Sequence, residues 1–318
     1  MSDHASKFEK IWIVACGTAY HAGLFGKDLF EKVLGVPVSV ELASEFRYRE
    51  PIVGKNDLGI VISQSGETMD TIAATELLKE NGSHVLALVN VVGSSLARMA
   101  DSVFYLHVGP EIGVASTKAY LGMLVSQLVL AKHWDSKNRL DVSFDEIAEL
   151  PNLIDKTMAC EDQIKEISEK IYKKNDIYFI GRGLDYALAA EGALKLKEIS
   201  YLHAEALAAG ELKHGTLALI EEGTPVVVTA SQNHLLDKTT SNVQEVIARG
   251  AYVIAIGDSE SEKLENISND YVTLPDSNEI LTTVISIIPL QFIAYHVANK
   301  NGQSIDQPRN LAKSVTVE

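Results

Sequence analysis

The sequence is built from two similar halves, and this internal repeat constrains the fold more than any other feature. The stretch IWIVACGTAYHAGLF, which begins at Ile11, aligns with IYFIGRGLDYALAAE, which begins at Ile177, at an offset of 166 residues (177 − 11 = 166). Two further apolar runs, 60–62 and 85–88, meet apolar runs of the second half at offsets of 166 and 168. Because the matches keep their order over a period as long as a whole domain, the sequence predicts a domain duplication rather than a solenoid.

Within each half, short apolar runs alternate with longer stretches of helical periodicity. Near-continuous apolar runs of this kind are typical of parallel strands that helices cover on both faces. In the first half these strands are predicted near 11–15, 37–41, 58–62, 84–89 and 102–107. The sequence therefore predicts an α/β protein with two tandem, doubly wound parallel sheets. The predicted divisions are a first domain at 1–150, a second domain at 151–300 and a C-terminal tail at 301–318.

The charge balance narrows the range of partners. The 318 residues include 28 Lys and Arg against 43 Asp and Glu, a formal net charge of −15, which argues against nucleic acid and anionic membranes as partners.

Cys16 and Cys160 show neither a disulfide framework nor a metal-ligand spacing, so we expect reduced thiols in a cytoplasmic protein, with no metal and no cofactor. The apolar segment 280–298 contains several polar residues and is barely long enough to span a membrane, so we expect a buried core helix.

A glycine-containing loop, SQSGETMD at 63–70, is predicted between a buried strand and a helix at 69–80. Gly66 allows a tight turn, the neighbouring Ser and Thr hydroxyls can donate to an anion, and the N-terminus of the following helix adds a partial positive charge. Helix capping and phosphate binding are about equally good interpretations of this pattern alone. The second half carries TASQN at 229–233 where the first carries SQSGE at 63–67. Since the glycine is lost there, only the first domain is expected to bind phosphate.

A charged helical face is predicted in the second half, where Glu191, Lys195 and Glu198 recur at helical spacing. Taken alone, the pattern is most simply a solvated charge stripe, and His214 beside Gly215 is most simply a loop residue. A Glu and a His facing a sugar phosphate would instead supply an acid and a base.

Four segments together resemble a known family. They are SQSGETMD, VASTKAY at 114–120, EGALKLKEISYLHAEALAAGELKHG at 191–215 and DQPRNLAKSVTVE at 306–318. They resemble the sugar isomerase half of the glucosamine-6-phosphate synthases, which are glutamine–fructose-6-phosphate aminotransferases. That half consists of two SIS (sugar isomerase) domains with flavodoxin-like sheets, and the likeness covers nearly the whole chain. It implies an enzyme that binds fructose 6-phosphate and converts ketose to aldose, giving glucosamine 6-phosphate with ammonia and glucose 6-phosphate without it.

The resemblance also implies which residues bind the substrate. Val114 and Ser116 would line the sugar. One departure from the family pattern is Ala19, where many members carry a serine. The residues implied for phosphate binding are Thr18, Ser63, Gln64, Ser65 and Thr68.

The catalytic roles that the resemblance implies fall on four residues. Glu198 would carry a proton between C1 and C2 with the help of Lys195. His214 would open the sugar ring from the neighbouring subunit, which implies a homodimer. Lys313, five residues from the last residue, would form a Schiff base with the open-chain ketose, and the tail would close the active site.

The family enzyme also carries a glutaminase domain that releases ammonia from glutamine, and we expect none within these 318 residues. We therefore expect either free ammonia or a separate glutaminase domain to serve as the nitrogen source. Two alternatives stay open: a stand-alone glucosamine-6-phosphate deaminase or deglycase, and a non-catalytic phosphosugar-binding regulator.

Overall fold

The computed structural model describes residues 8–316 and divides them into two compact units. Of these residues, 8–144 and 312–316 form the first unit. The second unit is Asp145–Leu311.

The first unit is built on a five-stranded parallel sheet. Its strands are β1 (Lys10–Ala15), β2 (Val38–Leu42), β3 (Asp57–Ser63), β4 (His84–Val89) and β5 (Ser102–Tyr105). Its helices are α1 (Gly17–Leu34), α2 (Ala43–Phe46), α3 (Met69–Glu80), α4 (Ser95–Met99) and α5 (Lys118–Trp134). The strand order is β2-β1-β3-β4-β5, which is the flavodoxin-like order.

The second unit repeats this architecture after three connecting helices, α6 (Phe144–Ala148), α7 (Leu150–Met158) and α8 (Glu161–Ile171). Its strands are β6 (Asp176–Gly181), β7 (His203–Ala208), β8 (Pro225–Ala230), β9 (Tyr252–Gly257) and β10 (Asp270–Thr273). Its remaining helices are α9 (Leu184–Ser200), α10 (Leu236–Ile247), α11 (Glu262–Glu265), α12 (Glu279–Ile285) and α13 (Ile287–Lys300). Listed from the opposite edge, the strand order of this sheet is β7-β6-β8-β9-β10, which repeats the order of the first sheet. Two doubly wound parallel sheets are therefore confirmed.

The predicted strands and helix of the first unit are confirmed for a simple physical reason. All seven residues of β3 are buried, as expected for a central parallel strand that is covered on both faces. On one face Leu78 of α3 is fully buried in a cluster that includes Val14 and Val61, while Ile72 and Leu77 pack against this cluster. The buried residues of the helix, Thr71, Ala74, Thr75 and Leu78, are spaced by three or four positions and so lie on one side.

The hydrogen-bond register corrects one detail of the repeat. Ile11 pairs with Leu58 in the first unit, 47 residues away (58 − 11 = 47), whereas Tyr178 pairs with Val226 in the second, 48 residues away (226 − 178 = 48). Because the first strands of the two units are offset by 166 residues, this extra residue means that the third strands, and the loops after them, correspond at an offset of 167 (166 + 1 = 167). The alignment of 63–67 with 229–233 is wrong by one residue, because a single-residue slip leaves an apolar run apolar and cannot be seen in the pattern.

The apolar segment predicted as one core helix consists of two helices, α12 and α13. Pro289 lies in the first turn of α13, and its ring nitrogen cannot donate the hydrogen bond that a continuous helix would need. The stretch Glu279–Lys300 is apolar and long enough to cross a membrane by composition alone, but 83% of its most apolar window is buried within the protein. The prediction of a buried core helix is therefore confirmed, with a break at Ser286 between α12 and α13.

Candidate active site

The loop between β3 and α3, residues 63–68, turns at Gly66. Its φ of +68° lies in the left-handed region, and an added Cβ would lie only 2.1 Å from Oγ of Ser94. Both the backbone conformation and the close approach of Ser94 therefore require glycine at this position.

The hydroxyl groups of this loop hold its backbone rather than capping α3. Oγ of Ser63 accepts a hydrogen bond from the Gly66 N–H at 3.0 Å and lies 3.2 Å from Oγ1 of Thr68. Oγ of Ser65 accepts from the Glu67 N–H at 3.2 Å. Thr68 is the N-cap residue of α3, yet its side chain makes no capping hydrogen bond. The capping interpretation is therefore wrong for Thr68, and three hydroxyls cluster at the N-terminus of the helix.

The other predicted binding residues also follow the carboxyl ends of strands in the first unit. Thr18 lies in the first turn of α1, directly after β1, and β1 pairs with β3 in the sheet. Val114 and Ser116 lie between β5 and α5, and both are half-buried. In doubly wound sheets this edge is where ligands bind.

Glu111 is a central residue of the site that the sequence did not reveal. Its Oε1 accepts from the backbone N–H groups of Thr117 and Ala119 at 2.9 and 3.1 Å, at the start of α5. Its Oε2 accepts from Oγ of Ser116 at 3.0 Å and from Nζ of Lys313 at 2.5 Å. One carboxylate thus holds a predicted sugar-binding residue and the predicted Schiff-base lysine together.

The electrostatics of this carboxylate favour its ionised form. Burial alone would raise the pKa of Glu111, whose side chain is 5% exposed. The hydrogen bonds from Lys313 and from the N–H groups of Thr117 and Ala119 outweigh burial and lower the pKa below its ordinary value. Glu111 therefore carries a negative charge that holds the Lys313 ammonium.

The tail touches the glycine loop as well. Oγ of Ser314 lies 3.3 Å from Oγ of Ser65. The carbonyl oxygen of Val315 accepts from the Met69 N–H, at the first position of α3, at 3.3 Å. The first unit therefore brings Lys313 and the two residues after it against the loop and the helix N-terminus.

The charged face of α9 in the second unit is buried, so a solvated stripe is the wrong interpretation. Nζ of Lys195 lies 2.5 Å from Oε2 of Glu198 and 3.4 Å from Oε1 of Glu191. The side chains of Lys195 and Glu191 are 2% and 0% exposed, whereas that of Glu198 is 22% exposed. Burial favours the neutral amine, but the two carboxylates outweigh it and raise the pKa of Lys195. Helical spacing is the same for a solvated and a buried charged face, which is why the sequence could not distinguish them.

His214 lies outside α9, in the segment that follows β7 of the second unit. It ends a 3₁₀ turn, Ala209–His214, and its side chain is exposed. Gly215 follows with φ of +144°, which ends the turn. An exposed position is compatible with the predicted action on a neighbouring subunit, and that role stays a prediction.

Known proteins are similar to this chain in both sequence and fold. The SIS domain model matches residues 5–132 and 170–299. A glutamine–fructose-6-phosphate aminotransferase (isomerizing) of Clostridium tetani is 49% identical over 322 residues, which are 99% of this chain and 53% of that protein. The corresponding Thermus thermophilus protein is 45% identical over 317 residues, 98% of this chain and 52% of its own. The chain thus spans about half the length of the curated relatives it matches.

Solved structures give the same result. The C-terminal domain of glucosamine-fructose-6-phosphate aminotransferase from Francisella tularensis has a TM-score of 0.92 and 42% identity, over 96% of this chain and 88% of that chain. A glucosamine-6-phosphate deaminase from Thermotoga maritima has a TM-score of 0.79 at 24% identity, over 96% of this chain and 90% of that one, a likeness of fold alone. Matched twice by one domain model and almost end to end by these relatives, the chain belongs to the SIS domain family, as a member with two SIS domains.

Proposed function

We propose that this chain is the sugar isomerase half of a glutamine–fructose-6-phosphate aminotransferase. It binds fructose 6-phosphate and converts ketose to aldose, giving glucosamine 6-phosphate when ammonia is supplied and glucose 6-phosphate when it is not. The observation that carries the proposal is the contact of Lys313 with Glu111, which holds an amine beside the glycine loop of the first unit.

The phosphate group is bound at the carboxyl edge of the first sheet. Gln64 and the hydroxyls of Ser63, Ser65 and Thr68 surround the N-terminus of α3, and Thr18 lies after the neighbouring strand. A phosphate monoester carries about −1.5 to −2 charges at neutral pH. Aligned N–H groups and hydroxyls bind such a group locally, so the acidic net charge of the chain is no obstacle.

Lys313 supplies the covalent step. Its neutral amine adds to C2 of the open-chain ketose, the carbonyl oxygen leaves as water, and a C=N bond forms between Nζ and C2. The amine must first lose the proton that it shares with Glu111, so Glu111 is the nearest acceptor for that proton. The imine withdraws electrons and acidifies the C1–H bond. When ammonia is present, it takes the place of the lysine nitrogen on C2.

Glu198 then moves the proton. Before this step ammonia replaces the lysine nitrogen on C2 or, without ammonia, water hydrolyses the imine and restores the C2 carbonyl, so that Lys313 is released in either case. As a carboxylate, Glu198 then takes a proton from C1 and returns it to C2 while the C1 hydroxyl loses its proton, so that C1 becomes the aldehyde carbon. General acid–base catalysis of this kind contributes about 10²- to 10⁴-fold. The buried Lys195 ammonium donates a hydrogen bond to Oε2 of Glu198 at 2.5 Å and so orients this carboxylate. His214 of a neighbouring subunit opens the sugar ring in a cytoplasmic homodimer.

The test is an assay of the chain with fructose 6-phosphate, with and without ammonium, in which both aldose products are followed. Borohydride reduction followed by peptide mass spectrometry should find the sugar on Lys313 and lose that adduct in Lys313→Arg. The matched control is Lys300→Arg, which changes a lysine in an exposed ion pair with Glu169. Tight binding without any product would favour a phosphosugar-binding regulator. Consumption of glucosamine 6-phosphate without its formation would favour a deaminase.

A further inference from the structure

The helix that carries Glu198 is followed by a residue in a strained conformation. Tyr201, directly after α9, has φ of +64° and ψ of +12°, in the left-handed region, and its N–H donates to the Lys197 carbonyl oxygen at 3.3 Å. Glycine is the usual residue at such a helix end, because a Cβ there costs free energy and a bulky side chain is an outlier. A tyrosine at this position therefore needs a reason beyond ending the helix.

The first unit shows the same helix end with the usual residue. Gly35 follows α1 with φ of +71°, and its N–H donates to the Glu31 carbonyl oxygen at 2.9 Å. Gly35 and Tyr201 are separated by the offset of 166 that relates the first strands (201 − 35 = 166). The two copies therefore share this backbone conformation, and only the second carries a side chain there.

The side chain of Tyr201 contacts the part of the tail that belongs to the second unit. Its hydroxyl oxygen accepts a hydrogen bond from the Arg309 N–H at 2.8 Å, and Cζ of Arg309 lies 4.2 Å from the centre of its ring. Pro308, directly before, is buried. Asn310, directly after, turns the chain with φ of +61°, a conformation that asparagine tolerates. Both contacts of Tyr201 therefore fall where the tail is fixed and then turns.

The anchored residue is close to Lys313 in the chain. Four peptide units separate Arg309 from Lys313 (313 − 309 = 4), and four fully extended residues span at most about 14 Å. While Arg309 is held, Lys313 can occupy only a small volume around that anchor. Because a short tether raises the effective concentration of the group it carries, release of Arg309 would dilute the amine.

We infer that Tyr201 is a positioning residue for the Schiff-base chemistry of Lys313, and that its strained conformation is retained because its side chain holds the tail. The inference rests on the proposed function in so far as Lys313 is the amine that reacts. The anchoring itself stands on contacts within the second unit. Tyr201 acts on Lys313 only through the tail.

The first measurement needs no sugar. Amide hydrogen exchange of the tail peptide that contains Arg309 should be roughly 2- to 10-fold faster in Tyr201→Phe, which removes only the hydroxyl acceptor. It should be roughly 5- to 50-fold faster in Tyr201→Gly, which also removes the stacked ring. Tyr295→Phe, at a 42% exposed tyrosine of α13, is the matched control and should exchange as the wild type does. Unchanged exchange in both Tyr201 variants overturns the inference.

The second measurement uses the reaction. Borohydride trapping of fructose 6-phosphate at Lys313 should slow by the same factors in the two variants. The affinity for fructose 6-phosphate, measured by isothermal titration, should stay that of the wild type, because the first unit binds the phosphate. Arg309→Ala should slow trapping in the wild-type background and add nothing to Tyr201→Gly, in which the ring beside the guanidinium is already gone. Trapping at the wild-type rate in variants whose tails exchange faster overturns the positioning role.

Urea unfolding separates positioning from a loss of structure. Tyr201→Gly places at this helix end the residue that the first unit carries, so its unfolding midpoint should be no lower than that of Tyr201→Phe. A fall in the midpoint that accounts for the slower trapping overturns the inference. Faster tail exchange in the variants, in a protein whose wild type is never trapped at Lys313, would contradict the proposed function and leave Tyr201 as the anchor of the tail.

Discussion

Lys313 and Glu111 are 202 residues apart in the chain, yet Nζ of the lysine lies 2.5 Å from Oε2 of the glutamate. This contact ties the tail to the segment that carries the proposed sugar-binding residues.

Glu111→Gln should release Lys313. A hydrogen bond between charged groups contributes about 1.5–3 kcal/mol, so the docked tail should become roughly 10- to 100-fold less populated. Borohydride trapping at Lys313 should slow by a similar factor, while fructose 6-phosphate affinity changes less. Glu169→Gln, which breaks the exposed pair with Lys300, is the control and should trap normally. Equal trapping rates in both variants would contradict a positioning role for Glu111.

Gly66→Ala should weaken phosphate binding and stability together. The new Cβ would lie 2.1 Å from Oγ of Ser94, in addition to the cost of a left-handed alanine, about 1–2 kcal/mol. Gly93→Ala is a matched control, because Gly93 has φ of +72° and nothing within 4 Å of an added Cβ. Isothermal titration with fructose 6-phosphate should show a larger loss for Gly66→Ala. Equal losses would mean that the contact with Ser94 does not shape the loop.

Glu198→Gln should keep the affinity for fructose 6-phosphate and lose about 10²- to 10⁴-fold in kcat, because the amide cannot accept the proton from C1. Steady-state kinetics separates the two effects. Glu166→Gln, an exposed carboxylate on α8, should leave both constants unchanged. A fully active Glu198→Gln enzyme would refute the assignment of the base.

Lys195→Met should destabilise the second unit by about 3–5 kcal/mol, because it removes the buried ammonium that the carboxylates of Glu191 and Glu198 contact. Adding Glu191→Gln to the same chain should recover part of this loss. Urea unfolding measures both changes. A Lys195→Met variant as stable as Lys197→Met, which alters an exposed neighbour, would show that the buried ion pairs contribute nothing.

Asp185 should make the stability of the second unit depend on pH. Burial, the largest cause, raises its pKa from 3.8 to about 6, against the hydrogen bonds of Ser231 and Gln232. Because the folded pKa lies above the unfolded one, this contribution is present below about pH 4 and is lost as the pH rises through about 6, a change of about 3 kcal/mol. The difference in unfolding free energy between wild type and Asp185→Asn isolates this dependence. A difference that does not change with pH between 4 and 7 would contradict it.

The sequence predicted the parts of this fold that depend on local pattern. Each predicted strand of the first half lies on an observed strand, because buried parallel strands must be apolar throughout. Glu111 could not be found in the same way. Its partner Lys313 is distant in the chain, and an acidic residue in a loop is ordinary in an acidic protein. Likewise, whether the face of Lys195 meets solvent or other residues depends on what packs against α9, which helical spacing does not encode.

The drift of the repeat offset from 166 to 168 shows where the two copies changed length. The third strand and the following helix keep one offset, 167, so five residues separate β3 from α3 and five separate β8 from α10. The differences in length between the two halves therefore lie outside this segment of strand, loop and helix. The two loops are therefore interchangeable in length, and SQSGET could be transplanted in place of residues 230–235 without adding or removing a single peptide unit.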